Sequence, residues 1–243
     1  MHLTLRLKKL LRKTGIDIVR YEPNKYPMLR RKMIMDHHTI DHVLDVGANY
    51  GQYGMQLRNI GYQGKIDSFE PIHREYEKLR KRCEPDSQWT AHQMALGAEE
   101  MEAEINISDE YSQVSSLQPM LESSVERRSF WRHTSTETIQ VKTLDSFFGA
   151  ITSGSARIML KIDTQGYEKN VLDGAMKSLP AVQLLQLEMS LVPLYENELL
   201  FSDMLELLES CGFHLVSIEP GMQDEKTGQL FQVDGIFQQT RRL

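Results

Sequence analysis

A glycine-rich turn beside an acidic residue is the part of the sequence best suited to binding a ligand. Residues 43–51 read VLDVGANYG, an apolar run that ends in Asp45 and enters the turn. Gly47 and Gly51 allow the backbone to approach a ligand closely, and Asn49 tolerates the positive φ that such turns often need. Amide groups at the start of a following helix add hydrogen-bond donors. The spacing predicts a loop for a nucleotide-like ligand.

A second carboxylate, Glu70, follows at the end of the next apolar run. It lies 19 residues after Gly51, the kind of spacing at which an acidic residue accepts hydrogen bonds from ribose hydroxyls. The loop lacks the middle glycine of the dinucleotide pattern G-x-G-x-x-G, because Asn49 replaces it, and the charge of Asp45 would repel a pyrophosphate. The same charge would attract a sulfonium and an α-ammonium group. These features predict S-adenosylmethionine rather than NAD.

Two carboxylates at the ends of later apolar runs are the candidate catalytic residues. Asp163 ends the predicted fourth core strand, where sheets of this kind bind ligands, and it either anchors the cofactor ammonium or accepts a proton from the methyl acceptor. Glu188 ends the predicted fifth strand and either takes part in catalysis or accepts hydrogen bonds in a turn. Glu168 opens a predicted helix, where we expect it to stabilise the helix dipole.

Short apolar runs alternate with amphipathic segments along the chain, and this order is typical of an α/β fold with a mostly parallel sheet. The last two of seven strands are separated by residues 219–229, which are rich in Gly, Pro, Gln and Asp, so we expect an antiparallel hairpin. The predicted strands are residues 42–46, 65–69, 89–94, 157–162, 181–188, 214–218 and 230–237. The predicted helices are residues 53–60, 72–83, 168–179 and 202–211, the last with Ser202 as N-cap and Gly212 as its stop.

The order of these motifs resembles that of the FkbM-type methyltransferases, a branch of the S-adenosylmethionine-dependent enzymes. Their opening motif is similar to residues 43–51, and their second acid corresponds to Glu70 and Pro71. Their later blocks are similar to Ala95-Leu96-Gly97, Ser115-Ser116-Leu117, Val141 with Thr143-Leu144-Asp145 and Phe147, and residues 161–168, KIDTQGYE. The resemblance spans about residues 43–196. Gln165 stands where many relatives carry an acid, so no role of that acid carries over.

The resemblance implies a class I, Rossmann-like sandwich, with a seven-stranded mostly parallel sheet, a C-terminal antiparallel hairpin and helices on both faces. It also implies methyl transfer from S-adenosylmethionine to an oxygen of a sugar, glycolipid or natural product. We expect Ala95 and Leu96 to hold the adenine, because apolar side chains and backbone amides suit an uncharged base. We assign no metal ligand. The expected cofactor contacts are Asp45, Val46, Gly47, Ala48, Asn49, Gly51, Tyr53, Glu70, Pro71, Ala95, Leu96, Ser116 and Asp163, and the expected catalytic residues are Asp163 and Glu188.

Three other functions stay open at this point. A dinucleotide-dependent oxidoreductase shares the fold class, although Asp45 disfavours its ligand. A protein arginine methyltransferase-like enzyme is a second alternative, in which Glu188 and Glu196 form a carboxylate pair for a guanidinium group. The third is a cofactor-binding protein without turnover that serves as an interaction module.

Basic residues are concentrated near the N-terminus. Residues 1–32 hold ten Lys or Arg and two acidic residues, and because the net charge of the chain is −6, the remainder carries −14. An acidic body of this kind makes nucleic acid an unexpected partner. Residues 1–14 predict a basic amphipathic helix that docks on this body, with an anionic membrane surface or another protein as the alternative. We divide the chain into an extension, residues 1–35, and a methyltransferase domain, residues 36–243.

No apolar stretch approaches the roughly 18 residues of a membrane span, so we expect a soluble cytoplasmic protein. Cys83 and Cys211 are expected to be reduced. His38 and His42 have the spacing of a helical metal pair, but His42 begins a predicted strand, so we do not expect a metal there.

A serine-rich range, residues 108–136, interrupts the alternation of strands and helices and predicts a lid or a specificity loop. Its basic and aromatic side chains either grip a sugar ring or an anionic acceptor, or remain solvated. These side chains are Arg127, Arg128, Phe130, Trp131, Arg132 and His133.

Overall fold

Helices and strands alternate along the chain, as the hydrophobic pattern predicts. The computed structural model describes the backbone of residues 2–16 and 25–240 and the side chains of residues 7–16 and 25–240. The helices are α1 (His2–Arg12), α2 (Pro27–His37), α3 (Gln52–Asn59), α4 (His73–Cys83), α5 (Glu122–Arg127), α6 (Leu144–Ile151), α7 (Glu168–Asp173) and α8 (Phe201–Ser210). The strands are β1 (His42–Val46), β2 (Lys65–Phe69), β3 (Trp89–His92), β4 (Ala95–Leu96), β5 (Met101–Ile107), β6 (Ser135–Lys142), β7 (Ile158–Ile162), β8 (Val182–Ser190), β9 (Phe213–Pro220) and β10 (Gln232–Gln239).

Seven strands form the main sheet in the order β3-β2-β1-β7-β8-β10-β9. β10 inserts between β8 and β9 and runs antiparallel to both, whereas the other pairs are parallel. This arrangement confirms the predicted α/β fold and its antiparallel C-terminal pair. β1 and β7 are neighbours in the centre, with Val46 level with Ile162. Their carboxyl ends therefore deliver Gly47 and Asp163 to the same edge of the sheet.

The main sheet separates two layers of helices. Successive residues of a strand point to opposite faces, so Val43 and Met159 join one hydrophobic cluster while Leu44 and Leu160 join the other. Residues of α2, α3 and α4 pack in the first cluster, and residues of α7 and α8 pack in the second. Because both faces are covered, the central strands read as continuous apolar runs rather than as alternating ones.

A second sheet, which the sequence did not predict, contains three strands in the order β4-β6-β5. The prediction of a strand over residues 89–94 is wrong at its C-terminal end, because β3 ends at His92 and Ala95–Leu96 pairs with β6 instead. In β5, apolar residues alternate with acidic ones, and its buried residues are Ile105 and Ile107. This alternation is the pattern of a strand with one solvated face.

Several helices differ from the prediction. α2, α5 and α6 were not predicted, and the helix predicted over residues 168–179 ends at Asp173. The chain turns after it, where Gly174 packs so closely on Gly97 that a Cβ at Gly174 would lie 1.9 Å from the Gly97 carbonyl oxygen. Ser202 lies inside α8, whose N-cap is Leu200, so its predicted capping role is wrong. Gly212 follows α8 with a φ of +83°, in agreement with its predicted role as a helix stop.

A buried ion pair anchors α2 to the main sheet. Arg31 Nη2 lies 2.5 Å from Glu219 Oε2 of β9, and both side chains are buried. Met35, on the same helix, is buried in the hydrophobic core. Most of α2 falls in residues 1–35, the range assigned to the N-terminal extension, but the helix packs against the sheet.

The helix α1 keeps part of its apolar stripe in solvent. It begins at His2 and ends at Arg12, and Met1, which the prediction included, lies outside the described residues. The side chains of Leu7 and Leu10 are 54% and 62% exposed, so these two residues are not docked on the acidic body as expected. Contact of this helix with a membrane surface or another protein stays a prediction. None of the described helices is long and apolar enough to cross a membrane.

Gly47 permits direct contact between the turn after β1 and the turn after β7. Its φ is +75°, and a Cβ at this position would lie 1.8 Å from the carbonyl oxygen of Asp163. The sequence interpretation attributed this glycine to the approach of a ligand, whereas in the structure its close neighbour is protein backbone. Gly51, with a φ of +89°, similarly faces the side chains of Leu79 and Trp89.

Two alanine substitutions distinguish the free-energy cost of crowding this contact from the cost of placing alanine at a positive φ. Gly61 has a φ of +88° and nothing within 4 Å of its would-be Cβ, so it is the matched control. We expect Gly61→Ala to lower the free energy of unfolding by about 1 kcal/mol, the cost of the backbone conformation alone. Gly47→Ala should lower it by about 2–3 kcal/mol more, because the Asp163 backbone must move. Urea unfolding followed by circular dichroism measures both, and equal losses would contradict the assignment of the contact.

Candidate functional site

A cleft, here called the main cleft, opens at the carboxyl edge of the main sheet beside the turn after β1. It encloses about 880 Å³, including space open to solvent, which lies in the range of about 300–1,000 Å³ typical of small-molecule sites. The predicted site residues that line it are Val46, Gly47, Asn49, Glu70, Pro71, Ala95, Leu96, Ser116, Asp163 and Glu188. The predicted site residues that do not line it are Asp45, Ala48, Gly51 and Tyr53.

Glu70 ties the turn after β1 to the turn after β2. Its Oε2 accepts a hydrogen bond from the backbone amide of Asn49, and its Oε1 accepts one from the amide of Ile72, both at 2.8 Å. Asn49 has a φ of +48°, the positive value for which its residue type is suited. Burial raises the pKa of Glu70 to about 8. A carboxylate has about four lone-pair sites, so Glu70 can also accept hydrogen bonds from a ligand's hydroxyl groups.

Asp45 lies beneath the turn rather than on the wall of the main cleft. Its side chain is fully buried, its Oδ1 lies 3.1 Å from Lys161 Nζ, and its Oδ2 accepts a hydrogen bond from Ser68 Oγ at 3.1 Å. The expectation that this carboxylate attracts a cationic ligand directly is therefore not supported by its position, because Lys161 balances its charge. Asp45 holds the turn from below.

Lys161 is a site residue to which sequence analysis assigned no role. It donates hydrogen bonds to the carbonyl oxygen of Gly47 at 3.2 Å, and its Nζ lies 3.4 Å from Asp163 Oδ2 as well as near Asp45. Burial opposes its charged form, but the two carboxylates outweigh this effect and raise the pKa of Lys161. The signal was present in the sequence, since a lysine inside the apolar run Ile158–Ile162 must find a partner when the strand is buried on both faces.

The side chain of Gln165 joins the two candidate catalytic carboxylates. Its Nε2 donates a hydrogen bond to Asp163 Oδ1 at 2.8 Å and another to Glu188 Oε2. Its Oε1 accepts a hydrogen bond from Tyr195 Oη at 2.8 Å. The backbone of Gln165 is left-handed, with a φ of +57°. Both amide hydrogens are thus used to hold Asp163 and Glu188 side by side on the cleft wall.

Glu188 is a strongly perturbed carboxyl group. Burial and the neighbouring charge of Asp163 raise its pKa well above the ordinary value. Gln232 Nε2, on β10, donates a second hydrogen bond to Glu188 Oε2 at 2.8 Å. The ionised form of Glu188 is therefore a stronger base than an ordinary glutamate, which favours a role in proton transfer.

Glu168 and Ser116 organise the turn after β7. Glu168 Oε1 accepts hydrogen bonds from the amides of Thr164 at 2.8 Å and Gly166 at 3.3 Å, and burial raises its pKa to about 7. Ser116 Oγ donates a hydrogen bond to the carbonyl oxygen of Gln165 at 2.6 Å. Glu168 lies at the start of α7, as expected, and it also fixes the turn that carries Asp163.

Residues 108–136 contribute a wall of the main cleft through Tyr111, Ser112 and neighbouring residues up to Leu117. The basic and aromatic group predicted to grip an acceptor does not line the cleft. Trp131 is instead buried in a small hydrophobic cluster that includes Phe231. The arginines make local contacts: Arg128 Nη2 donates to the Gln223 carbonyl at 3.0 Å, Arg132 Nη2 donates to Glu122 Oε1 at 3.0 Å, and Arg127 lies over the Phe231 ring.

Two side-chain pairs suggested by spacing, one kept as an alternative and one not expected, are not assembled in the structure. Glu196 is exposed and does not line the main cleft, so it does not form a guanidinium clamp with Glu188. His42 lies in β1, as expected, and its Nε2 lies 2.7 Å from Asp67 Oδ2, so its ring belongs to a buried hydrogen-bonded pair rather than to a helical metal pair with His38. Cys83 and Cys211 are both free thiols.

The charges on the cleft wall favour a cationic nucleoside. Among the described residues that line the main cleft, Glu70, Asp163 and Glu188 are acidic and none is Lys or Arg. A pyrophosphate would find no basic side chain on this lining, whereas the ionised carboxylates would attract a sulfonium and an ammonium group. The apolar side chains of Ile72 and Leu96 line the same cleft and suit an uncharged base. The residues present therefore fit S-adenosylmethionine.

Replacement of Gln165 by glutamate tests the two hydrogen bonds through which Gln165 joins Asp163 and Glu188. Gln165→Glu removes both donors and adds a third acid, so we expect the free energy of unfolding to fall by about 3 kcal/mol at pH 8. The loss should shrink towards pH 5, because a buried acid with a raised pKa is destabilising only where its unfolded form ionises. The control Gln140→Glu changes an exposed amide that donates to Glu102 at 2.7 Å, and we expect it to change stability by less than about 0.5 kcal/mol. A pH-independent loss in Gln165→Glu, measured by urea unfolding, would contradict this account.

Similar folds occur among solved structures, although the sequence identities are low. The METTL16 MTase domain superposes with a TM-score of 0.50 at 9% identity, over 96% of this chain and 77% of that chain. A protein of the NADB-Rossmann superfamily from Streptococcus agalactiae gives 0.47 at 13% identity, over 93% and 71%. TehB from Haemophilus influenzae gives 0.46 at 8% identity, and this chain, matched over 87% of its length, spans 62% of that one. At such identities the likeness concerns the fold alone.

The sequence itself gives the family. No curated protein matches the chain. The methyltransferase FkbM domain matches residues 45–215, which is more than half of the chain and includes the turn after β1, Glu70, Asp163 and Glu188. The chain therefore belongs to the FkbM family of S-adenosylmethionine-dependent methyltransferases.

Proposed function

We propose that the protein transfers a methyl group to a hydroxyl oxygen of a sugar, a glycolipid or a natural product. The observation that carries the proposal is the pair of carboxylates, Asp163 and Glu188, on the wall of a cleft whose described lining holds no Lys or Arg. A hydroxyl group must lose its proton when it is methylated, and a carboxylate at the site can accept that proton. The resemblance to FkbM-type enzymes supports the same class of acceptor.

Within this proposal, the main cleft holds the cofactor with its nucleoside towards β2 and β4. Glu70 accepts hydrogen bonds from the ribose hydroxyls, and Ala95 and Leu96 lie against the base. S-adenosylmethionine supplies a methyl group whose bond to a cationic sulfur breaks as a bond to the acceptor oxygen forms, with the electron pair remaining on sulfur. The chain's contribution is to hold both partners in line and to exclude water.

Asp163 is the proton acceptor that we favour. Lys161 Nζ, 3.4 Å away, and the Gln165 amide, 2.8 Å away, restrain its carboxylate from two sides. Glu188 shares the same amide group and is the second candidate. Because one glutamine side chain positions both carboxylates, they present a fixed pair of oxygens to the acceptor.

The direct test is a methylation assay with radiolabelled S-adenosylmethionine and a panel of glycosides, glycolipids and polyhydroxylated natural products. Product mass and fragmentation should place the new methyl group on oxygen. Arginine-containing peptides and primary amines are the contrasting acceptors. Methylation of those nitrogen acceptors with none on oxygen would overturn the proposal.

Asp163→Asn distinguishes the two roles that the sequence leaves open for this residue. If Asp163 accepts the hydroxyl proton, we expect kcat to fall about 100-fold or more, with the affinity for S-adenosylhomocysteine nearly unchanged. Calorimetric titration and initial-rate kinetics measure the two quantities separately. Weaker binding of S-adenosylhomocysteine with kcat preserved at saturating cofactor would instead assign Asp163 to the cofactor ammonium.

Glu70 should couple cofactor binding to pH. Its pKa of about 8 means that the free protein carries this side chain largely protonated at neutral pH, whereas ribose hydroxyls donate to the ionised form. Binding then releases a proton, so we expect the affinity for S-adenosylhomocysteine to rise between pH 6.5 and 8, by up to about tenfold per pH unit. In Glu70→Gln the affinity should be lower and this rise should disappear. An equally steep pH dependence in that variant would rule Glu70 out as the linked group.

A further inference from the structure

A second cavity lies next to the main cleft and shares part of its wall. It encloses about 520 Å³, including space open to solvent, on the side of the sheet that is covered by α2 and α3. Gly47, Gln52 and Asp163 line both the main cleft and this second cavity. A ligand in the second cavity would therefore be separated from the cofactor only by residues at the turn after β1 and by Asp163.

Two residues that line the second cavity, Arg31 and Gln52, carry buried polar atoms without hydrogen-bond partners. Arg31 is 6% exposed, and only its Nη2 is paired, with Glu219. Its Nε and Nη1 are buried without a hydrogen-bond partner, and so is Oε1 of Gln52. Leaving such atoms unsatisfied costs about 1–3 kcal/mol each, so unpartnered donors and an acceptor on residues beside a cavity favour a ligand that both accepts and donates hydrogen bonds.

Acidic side chains outnumber basic ones around the second cavity: Asp45, Asp163, Glu219 and Asp234 against Arg31 and Lys161. Arg31 is paired with Glu219, and Lys161 is paired with Asp45 and Asp163. No excess of positive charge is left among these residues, which disfavours a phosphate or a sulfate as the ligand.

The remaining lining residues supply neutral or weakly acidic hydrogen-bonding groups. Gln186 accepts a hydrogen bond from Tyr53 Oη at 2.9 Å and donates one to Asp234 Oδ1 at 3.1 Å. Burial raises the pKa of Asp234 to about 6. Gln56 adds an amide from α3, and Tyr53 adds an aromatic ring. Amides, carboxyl groups and an aromatic ring suit a ring or chain that carries several hydroxyl groups.

We propose that the second cavity binds the methyl acceptor, and that the acceptor is a neutral polyhydroxylated compound such as a glycoside or a cyclitol. Asp163 belongs to both lining sets, so it faces the acceptor and the cofactor at once. Arg31 and Gln52 hold acceptor hydroxyl groups through the atoms that are unpartnered in the structure. The identification of this compound as a methyl acceptor rests on the proposed function, whereas its binding in the cavity does not.

Blocking the cavity from α3 tests the assignment. Gln56→Phe places a bulky side chain in the second cavity, and Asn59→Phe, on the exposed surface of the same helix, is the matched control. The probes are methyl α-D-glucopyranoside, methyl α-D-mannopyranoside and myo-inositol, observed by saturation-transfer NMR with the protein saturated with S-adenosylhomocysteine. We expect at least one probe to bind the unmodified protein and Asn59→Phe, and to bind Gln56→Phe at least about tenfold more weakly. The affinity for S-adenosylhomocysteine should remain within about twofold in both variants.

A second variant removes the unpartnered donors without leaving a buried charge. Arg31→Met combined with Glu219→Met replaces the ion pair by apolar side chains of similar volume, a change that is often neutral for stability. We expect this double variant to fold, to bind S-adenosylhomocysteine and to lose at least about tenfold in probe affinity.

Three results would overturn the proposal. The first is that no probe binds the unmodified protein, and the second is that probe binding is unchanged in Gln56→Phe. The third is a loss of S-adenosylhomocysteine affinity in Gln56→Phe, which would mean that the cofactor occupies the cavity. None of these measurements requires turnover. A failure of the methylation assay with hydroxyl acceptors is therefore a separate result, and it bears on the proposed function rather than on what the cavity binds.

Discussion

The buried ion pairs of Lys161 hold together the turn on which the rest of the site depends. Lys161 reaches Asp45 on β1, the Gly47 carbonyl in the turn, and Asp163 after β7. Removing one partner of such a buried pair typically costs about 3–5 kcal/mol, because the other charge is left in a medium of low polarity. The lysine therefore links the two central strands at the edge of the sheet where the main cleft opens. Gly47 completes this junction by allowing the Asp163 carbonyl to lie where a side chain would otherwise be.

This junction also determines which carboxylates are available to a ligand. Asp45 is neutralised below the turn, so it serves the architecture, whereas Asp163 and Glu188 lie on the cleft wall. Gln165 keeps these two side chains together by donating a hydrogen bond to each. Many relatives carry an acid at the position of Gln165. In this chain, Asp163 and Glu188 have an amide as their shared partner instead. In the proposed function, the attraction for a cationic cofactor therefore comes from Asp163 and Glu188 rather than from Asp45, the acid beside the glycine-rich turn.

The two cavities follow from the same arrangement. The turn after β1 lies between the two cavities. Gly47 and Asp163 line both of them. The main cleft combines apolar side chains with carboxylates, whereas the second cavity is lined by amides, paired charges and the ring of Tyr53. α2 closes the second cavity through Arg31, whose guanidinium lies 4.9 Å from the centre of that ring. A helix ahead of the first strand therefore takes part in shaping the site.

The sequence by itself determined the seven strands of the main sheet and the candidate site residues at their ends: the run at residues 43–51, Glu70, Asp163 and Glu188. These are local signals, because apolar periodicity, glycine positions and strand-end acids are fixed by neighbouring residues. The prediction missed the second sheet, although the alternation in β5 was a signal for it, and it missed the role of Arg31, which pairs with a residue 188 positions away. Nor did it show that Asp45 is paired and Glu196 is outside the cleft. Only the tertiary structure decided which carboxylates pair with a buried cation and which line the cleft, because that depends on contacts between strands that are distant in sequence.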